Sequence, residues 1–117
     1  MKNKNFLKEL ILLFIFAILI SVVIVFFYSR IWLAAGLLLI LSILKLVYLK
    51  DKVAVTIFII GGIYGTLAEM VAIYFGAWSY SYINFYNIPF WLFFAWGAMS
   101  IFFYRLSSLI KLYFKRK

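Results

Sequence analysis

LILLFIFAILISVVIVFFY, residues 10–28, carries no charge, and Ser21 is its one short polar side chain. A helix needs about 20 mostly apolar residues to cross the hydrocarbon core of a bilayer, and this run nearly reaches that length unaided. The remainder of the chain has the same character. Of its 117 residues, 69% are hydrophobic and 23% aromatic, and the mean hydropathy is +1.16. A soluble domain is about half apolar because it must cover its core with a polar shell. No such shell can be assembled from these residues, so the fold class is all-α integral membrane.

Four segments have the required length: about 6–28, 31–49, 53–75 and 88–112. Together they predict one domain over residues 1–117, a four-transmembrane-helix antiparallel bundle. The first segment has a basic start, as a secretory signal has. Its apolar run is too long for a signal core, and no small-x-small cleavage pattern follows FFYSR, so it reads as a retained helix. Tyr28-Ser29-Arg30 and Lys50-Asp51-Lys52 join the first three spans. Links this short predict antiparallel neighbours, an up-down-up series of hairpins. The third link, residues 76–87, is longer, aromatic and uncharged. Pro89 is expected in the first turn of the fourth helix, where a missing N–H is harmless.

Lys and Arg near the helix ends set orientation. Lys2, Lys4, Lys8, Lys45, Lys50, Lys52, Arg105, Lys111, Lys115, Arg116 and Lys117 fall on one side, and Arg30 stands by itself on the other. This bias predicts that both termini are cytoplasmic and that the aromatic loop faces outward. The net charge of +9 is spread over membrane flanks rather than gathered on a soluble face. Its expected partners are therefore membrane lipids and not nucleic acid. Lys45 is expected to snorkel toward the headgroups.

The chain has no Cys and no His, and its acids are Glu9, Asp51 and Glu69. Thiolate chemistry, hydrolytic triads and zinc sites are thereby set aside. No metal site and no cofactor is expected.

Glu69 stands out in GTLAEMVAIYFGAWSY, residues 65–80. Gly61, Gly65 and Glu69 are four apart and share one helix face, with Gly62, Thr66 and Gly76 close to the same stripe. Gly61-x-x-x-Gly65 is the small-x-x-x-small pattern that lets a second helix approach closely. These glycines read as helix-packing residues, but packing does not call for a carboxylate. Glu69 lies about two turns, roughly 10 Å, inside the helix end. Burial there without a cation favours the neutral form. An ion pair with Arg105 would require strong tilt. Indole and hydroxyl donors are better placed: Trp91, Trp96 and Ser100 from the fourth helix, and Trp78, Tyr80 and Tyr82 from the loop. The expectation is a polar and aromatic chamber with Glu69 as its floor. Trp32, Tyr28, Trp78 and Tyr86 also suit interfacial anchoring.

The order of features from 61 to 97 is a Gly-rich helix, an acid, a Gly-aromatic turn, then Ile88-Pro89-Phe90-Trp91 and Trp96-Gly97. It resembles small polytopic bacterial and archaeal membrane proteins grouped as families of unknown function, a likeness that implies no activity. A fainter similarity is to the membrane hydratases and heterodimeric lycopene cyclases of carotenoid biosynthesis. That resemblance implies that Glu69 protonates a polyene while Trp78, Tyr80, Trp91 and Trp96 flank the cation. The Pro-x-Glu-Glu element of the cyclases is replaced here by Pro89-Phe90-Trp91. The chain is also similar to small multidrug resistance transporters, which have four helices and one membrane Glu among aromatics. This likeness implies exchange of a proton for a cationic compound, although their acid lies in the first helix.

The function expected is that of a small binding or assembly subunit, as a homo-oligomer or with a membrane protein partner. Its site would take a hydrophobic small molecule at Glu69, Thr66, Trp78, Tyr80, Trp91, Trp96 and Ser100. The alternative is a lipid- or isoprenoid-modifying enzyme with Glu69 as its catalytic acid, or a proton-coupled small-molecule transporter. Lys- and Ile-rich usage without a targeting peptide points to a prokaryotic plasma membrane.

Overall fold

The computed structural model describes residues 3–115, with side chains from Asn5 onward. Lys2, Lys4, Arg116 and Lys117, counted above among the basic flanks, lie outside the described residues or side chains. Four helices follow one another: α1 (Asn3–Phe27), α2 (Ile31–Leu49), α3 (Lys52–Tyr74) and α4 (Leu92–Lys115). All four are long and apolar enough to cross a membrane. Their outward surfaces suit no aqueous solvent. Val25, Phe26, Val47, Ile60 and Phe114 are each more than 60% exposed, and apolar surface on this scale requires an apolar surrounding.

The joints form as local chemistry dictates. Lys50 ends α2 in the left-handed conformation (φ 50°, ψ 47°), donating its N–H to the Leu46 carbonyl. Asp51 then caps α3, its Oδ1 accepting from the amides of Val53 at 2.9 Å and Ala54 at 3.4 Å. At the other end of α3, Gly76 takes φ +88°. Its N–H donates to Ile73 and that of Ala77 to Ala72, closing a Schellman turn. Gly76 has open space where a Cβ would stand. It is therefore a helix terminator and not the packing residue expected from the sequence.

The fourth helix begins at Leu92, later than expected. Residues 88–91 instead form a turn in which Leu92 donates to Pro89, and Phe93 to Phe90. Pro89 thus leads into α4 from outside it. Asn84 Oδ1 accepts from the Phe90 amide at 2.9 Å, and Phe85 pairs with Ile88. These bonds satisfy the Ile88 and Phe90 amides in the turn that precedes the helix.

The packing differs from a simple series of hairpins. α4 touches all three other helices and is seated most closely on α3, whereas α2 and α3 barely meet. The core lies among α1, α2 and α4, where Phe16, Ile20 and Val23 meet Ala34, Ala35 and Leu38, with Trp91, Leu92, Ala95 and Ala98 completing it. Small residues on α2 and α4 allow the close approach on which helix association in lipid depends.

α3 is held by a different device. A Cβ on Gly62 would stand 2.7 Å from the Phe93 carbonyl oxygen, and one on Gly97 would stand 2.6 Å from the Phe58 ring and 2.9 Å from its carbonyl oxygen. The two backbones interlock glycine into glycine. α4 of the same chain therefore packs on the glycine face of α3.

Polar ties close the end opposite the aromatic loop. The Tyr48 hydroxyl donates to Glu9 Oε2 at 2.6 Å, and Arg105 pairs with Glu9 Oε1 at 3.4 Å. Arg105 thus meets Glu9 and not Glu69. The Tyr104 hydroxyl donates to Asp51 Oδ2 at 2.6 Å. That bond first, and the α3 amides after it, hold the Asp51 carboxyl below its ordinary value of 3.8. A depressed folded value means the stabilisation is complete above about pH 3.8 and fades as the pH falls through the lower folded value. Thermal unfolding in detergent should therefore show little change from pH 7 to pH 5 and a small loss below pH 4. Tyr104→Phe should reduce that acid-sensitive part. An equal acid response in wild type and Tyr104→Phe would assign it to another group.

Candidate functional site

Glu69 sits on the last two turns of α3, and three aromatic donors converge on it. Trp78 Nε1 and the Tyr80 hydroxyl donate to Oε1, at 3.1 and 2.6 Å. Trp96 Nε1 donates to Oε2 at 2.5 Å. The first two come from the loop and the third from α4, so one carboxylate ties the loop down onto the α3–α4 pair. Each partner acts as a donor, so the acid accepts at both of its oxygens. Burial first, and then the bond to Glu69, hold the Tyr80 phenol well above its usual range, so it remains a donor.

The local sequence explains the convergence. Gly76 turns the chain back at the end of α3, which returns Trp78 and Tyr80 toward the helix they have just left. Asn87 Nδ2 pins the far part of the loop to the Met70 carbonyl at 3.1 Å. Gly65 leaves room for the Trp96 ring, since a Cβ there would run into the indole. The missing side chain at 65 and the carboxylate at 69, one turn apart, together seat that indole.

Beside this cluster is a cavity of about 580 Å³, lined by Gly61, Tyr64, Gly65, Ala68, Glu69, Trp78, Trp96 and Ser100. Tyr64 and Ala68 are exposed, so it opens along the side of α3. Its wall combines one acid with two indoles and a phenol. Such a surface accepts apolar groups and favours a hydrogen-bond donor or cation at the carboxylate.

Other residues singled out from the sequence lie elsewhere. Trp91 is buried with its indole N–H on the Tyr28 carbonyl at 3.2 Å, and it meets the site only through an edge contact with the Tyr80 ring. Its N–H is spent at the α1–α2 joint. Thr66 is fully buried, lines no part of the cavity, and has no hydrogen-bond partner among the described residues. Ser100 lines the cavity but donates to the Trp96 carbonyl at 2.8 Å, one turn back on its own helix. Tyr82 packs against Tyr28. Trp78 is half exposed, as an interfacial anchor would be, while still reaching Glu69.

Tyr64 and Ala68 were not expected at the site. Extending the stripe of Gly61, Gly65 and Glu69 by its helical neighbours would have found them. Among the described residues, no three His, Cys, Asp or Glu side chains come together as metal ligands do. No family model matches the chain, no curated protein is significantly similar to it, and no solved structure matches its fold.

Proposed function

We propose that this is a multi-pass membrane protein that binds a hydrophobic small molecule at Glu69. The observation that carries this reading is a carboxylate held by three aromatic donors in the wall of an open cavity of about 580 Å³. Packing alone would be served by Ala or Ser at position 69, and an intramembrane acid marks a functional site by default. The carboxylate would take a donor or cationic head, and the indoles the apolar body beside it.

In this reading the four helices form an antiparallel bundle with both termini in the cytoplasm, in a prokaryotic plasma membrane. The Lys and Arg bias supports that orientation. It places the aromatic loop and the Glu69 cavity in the outer leaflet. A partner protein or further copies of the chain would attach to the exposed lipid-facing surfaces, because α4 already packs on the glycine face of α3.

Native mass spectrometry of protein released gently from its own membrane tests the proposal beside Glu69→Gln. A small apolar molecule should accompany the wild type and be lost from the variant. If Glu69→Gln retains the same molecule to the same extent, or if the wild type emerges bare, the binding reading fails. Catalysis or proton coupling by Glu69 would further require that Glu69→Gln abolish turnover while the fold persists.

A further inference from the structure

A second site is built at the end of the molecule opposite Glu69. Between α1 and α2 runs a groove of about 260 Å³, lined by Leu12, Ile15, Phe16, Leu19, Leu41 and Leu44, with Lys45 and Tyr48 at one end. Ile15, Leu19 and Leu44 are exposed, so the groove faces the lipid. Lys45 was expected to snorkel, yet it is 7% exposed and lines this groove. Its ammonium lies 6.0 Å from the centroid of the Phe16 ring and 5.2 Å from that of Tyr48. No hydrogen bond or ion pair to Lys45 occurs among the described residues.

An ammonium in an apolar wall needs a counter-charge. Among the described residues, the charged groups that act on Lys45 are Glu9 and Arg105, and these already pair with each other, with Tyr48 also donating to Glu9. One positive charge is left over. Donors are in excess as well, since Arg105 Nε is buried with no hydrogen-bond partner among the described residues. Lys45 lies four residues from the end of α2, about 6 Å along the axis.

We infer that this groove is a binding site for an anionic phospholipid, with an acyl chain against Leu12, Leu19, Leu41 and Leu44 and the phosphate on Lys45. The inference rests on the helices crossing a membrane and is independent of the Glu69 cavity.

Native mass spectrometry titrations of the detergent-solubilised protein with phosphatidylglycerol, phosphatidylcholine and inorganic phosphate test it. Wild type should prefer phosphatidylglycerol over phosphatidylcholine by about fivefold, the contribution of one basic residue near an anionic headgroup. Lys45→Met should erase that preference, and its unfolding in detergent shows whether the fold survives. Leu19→Trp, which fills the groove at an exposed position and keeps the lysine, should weaken binding of the lipid. Lys111→Met, at an exposed lysine of α4, should change nothing. The inference is overturned if Lys45→Met keeps the preference, if Leu19→Trp binds as the wild type does, or if inorganic phosphate competes the lipid away.

Discussion

Gly62→Leu is expected to part α3 from α4 and to lower stability by about 3 kcal/mol or more. The atom that a new Cβ would strike is the Phe93 carbonyl oxygen at 2.7 Å. Backbone cannot rotate aside as a side chain can, so the helices themselves must separate. Overpacking a tight interface costs about 1–3 kcal/mol, occasionally more. Here the loss has little backup, because α3 barely touches α2 and is held chiefly by α4. Gly97→Leu should behave in the same way, since its Cβ would meet both the ring and the carbonyl oxygen of Phe58. Gly36 is the internal control. It has nothing within 4 Å of a Cβ, so Gly36→Ala should be neutral or stabilising by up to about 1 kcal/mol from helix propensity. Unfolding in mixed detergent–SDS micelles, followed by circular dichroism, reads all three. Equal stability of Gly62→Leu and wild type would show that the interlock does not hold α3.

Glu69→Leu is expected to cost about 2–5 kcal/mol and to free the loop. It leaves Trp78, Tyr80 and Trp96 without their shared acceptor. Side-chain hydrogen bonds in membrane proteins average about 0.6 kcal/mol and reach about 1.7, and three lost at one centre give that range. The loop between residues 76 and 87 should become sensitive to protease, and tryptophan emission should shift because two of the four indoles change partner. Glu69→Gln keeps one strong acceptor and should lose less than half as much stability. The Gln variant therefore separates binding from architecture. A Leu variant with full stability and a protected loop would mean that the carboxylate serves the ligand alone.

The glycine stripe and the acid were legible in the sequence because helical spacing is local: residues four apart share a face whatever surrounds them. The aromatic donors were legible as a class, since Trp and Tyr crowd the loop and the start of the fourth segment. Which of them reach it was not legible. Trp91 and Trp96 are equally plausible from their chemistry, and the difference is that the turn at residues 88–91 aims Trp91 at Tyr28, whereas Gly65 opens a seat for Trp96. Lys45 was misread for a related reason. Snorkelling is a rule for a lone helix, and here Phe16 and Tyr48 cover the side chain from α1 and from its own helix.

By itself, the sequence determined the membrane character, the four helices and their short joints. Span length, hydropathy and capping each depend on residues within a few turns of one another. Tertiary structure alone decided that α4 occupies the centre, that α3 locks onto it and not onto α2, and that three particular donors converge on Glu69. Those outcomes depend on how closely two backbones distant in sequence can approach, a distance that no local pattern encodes.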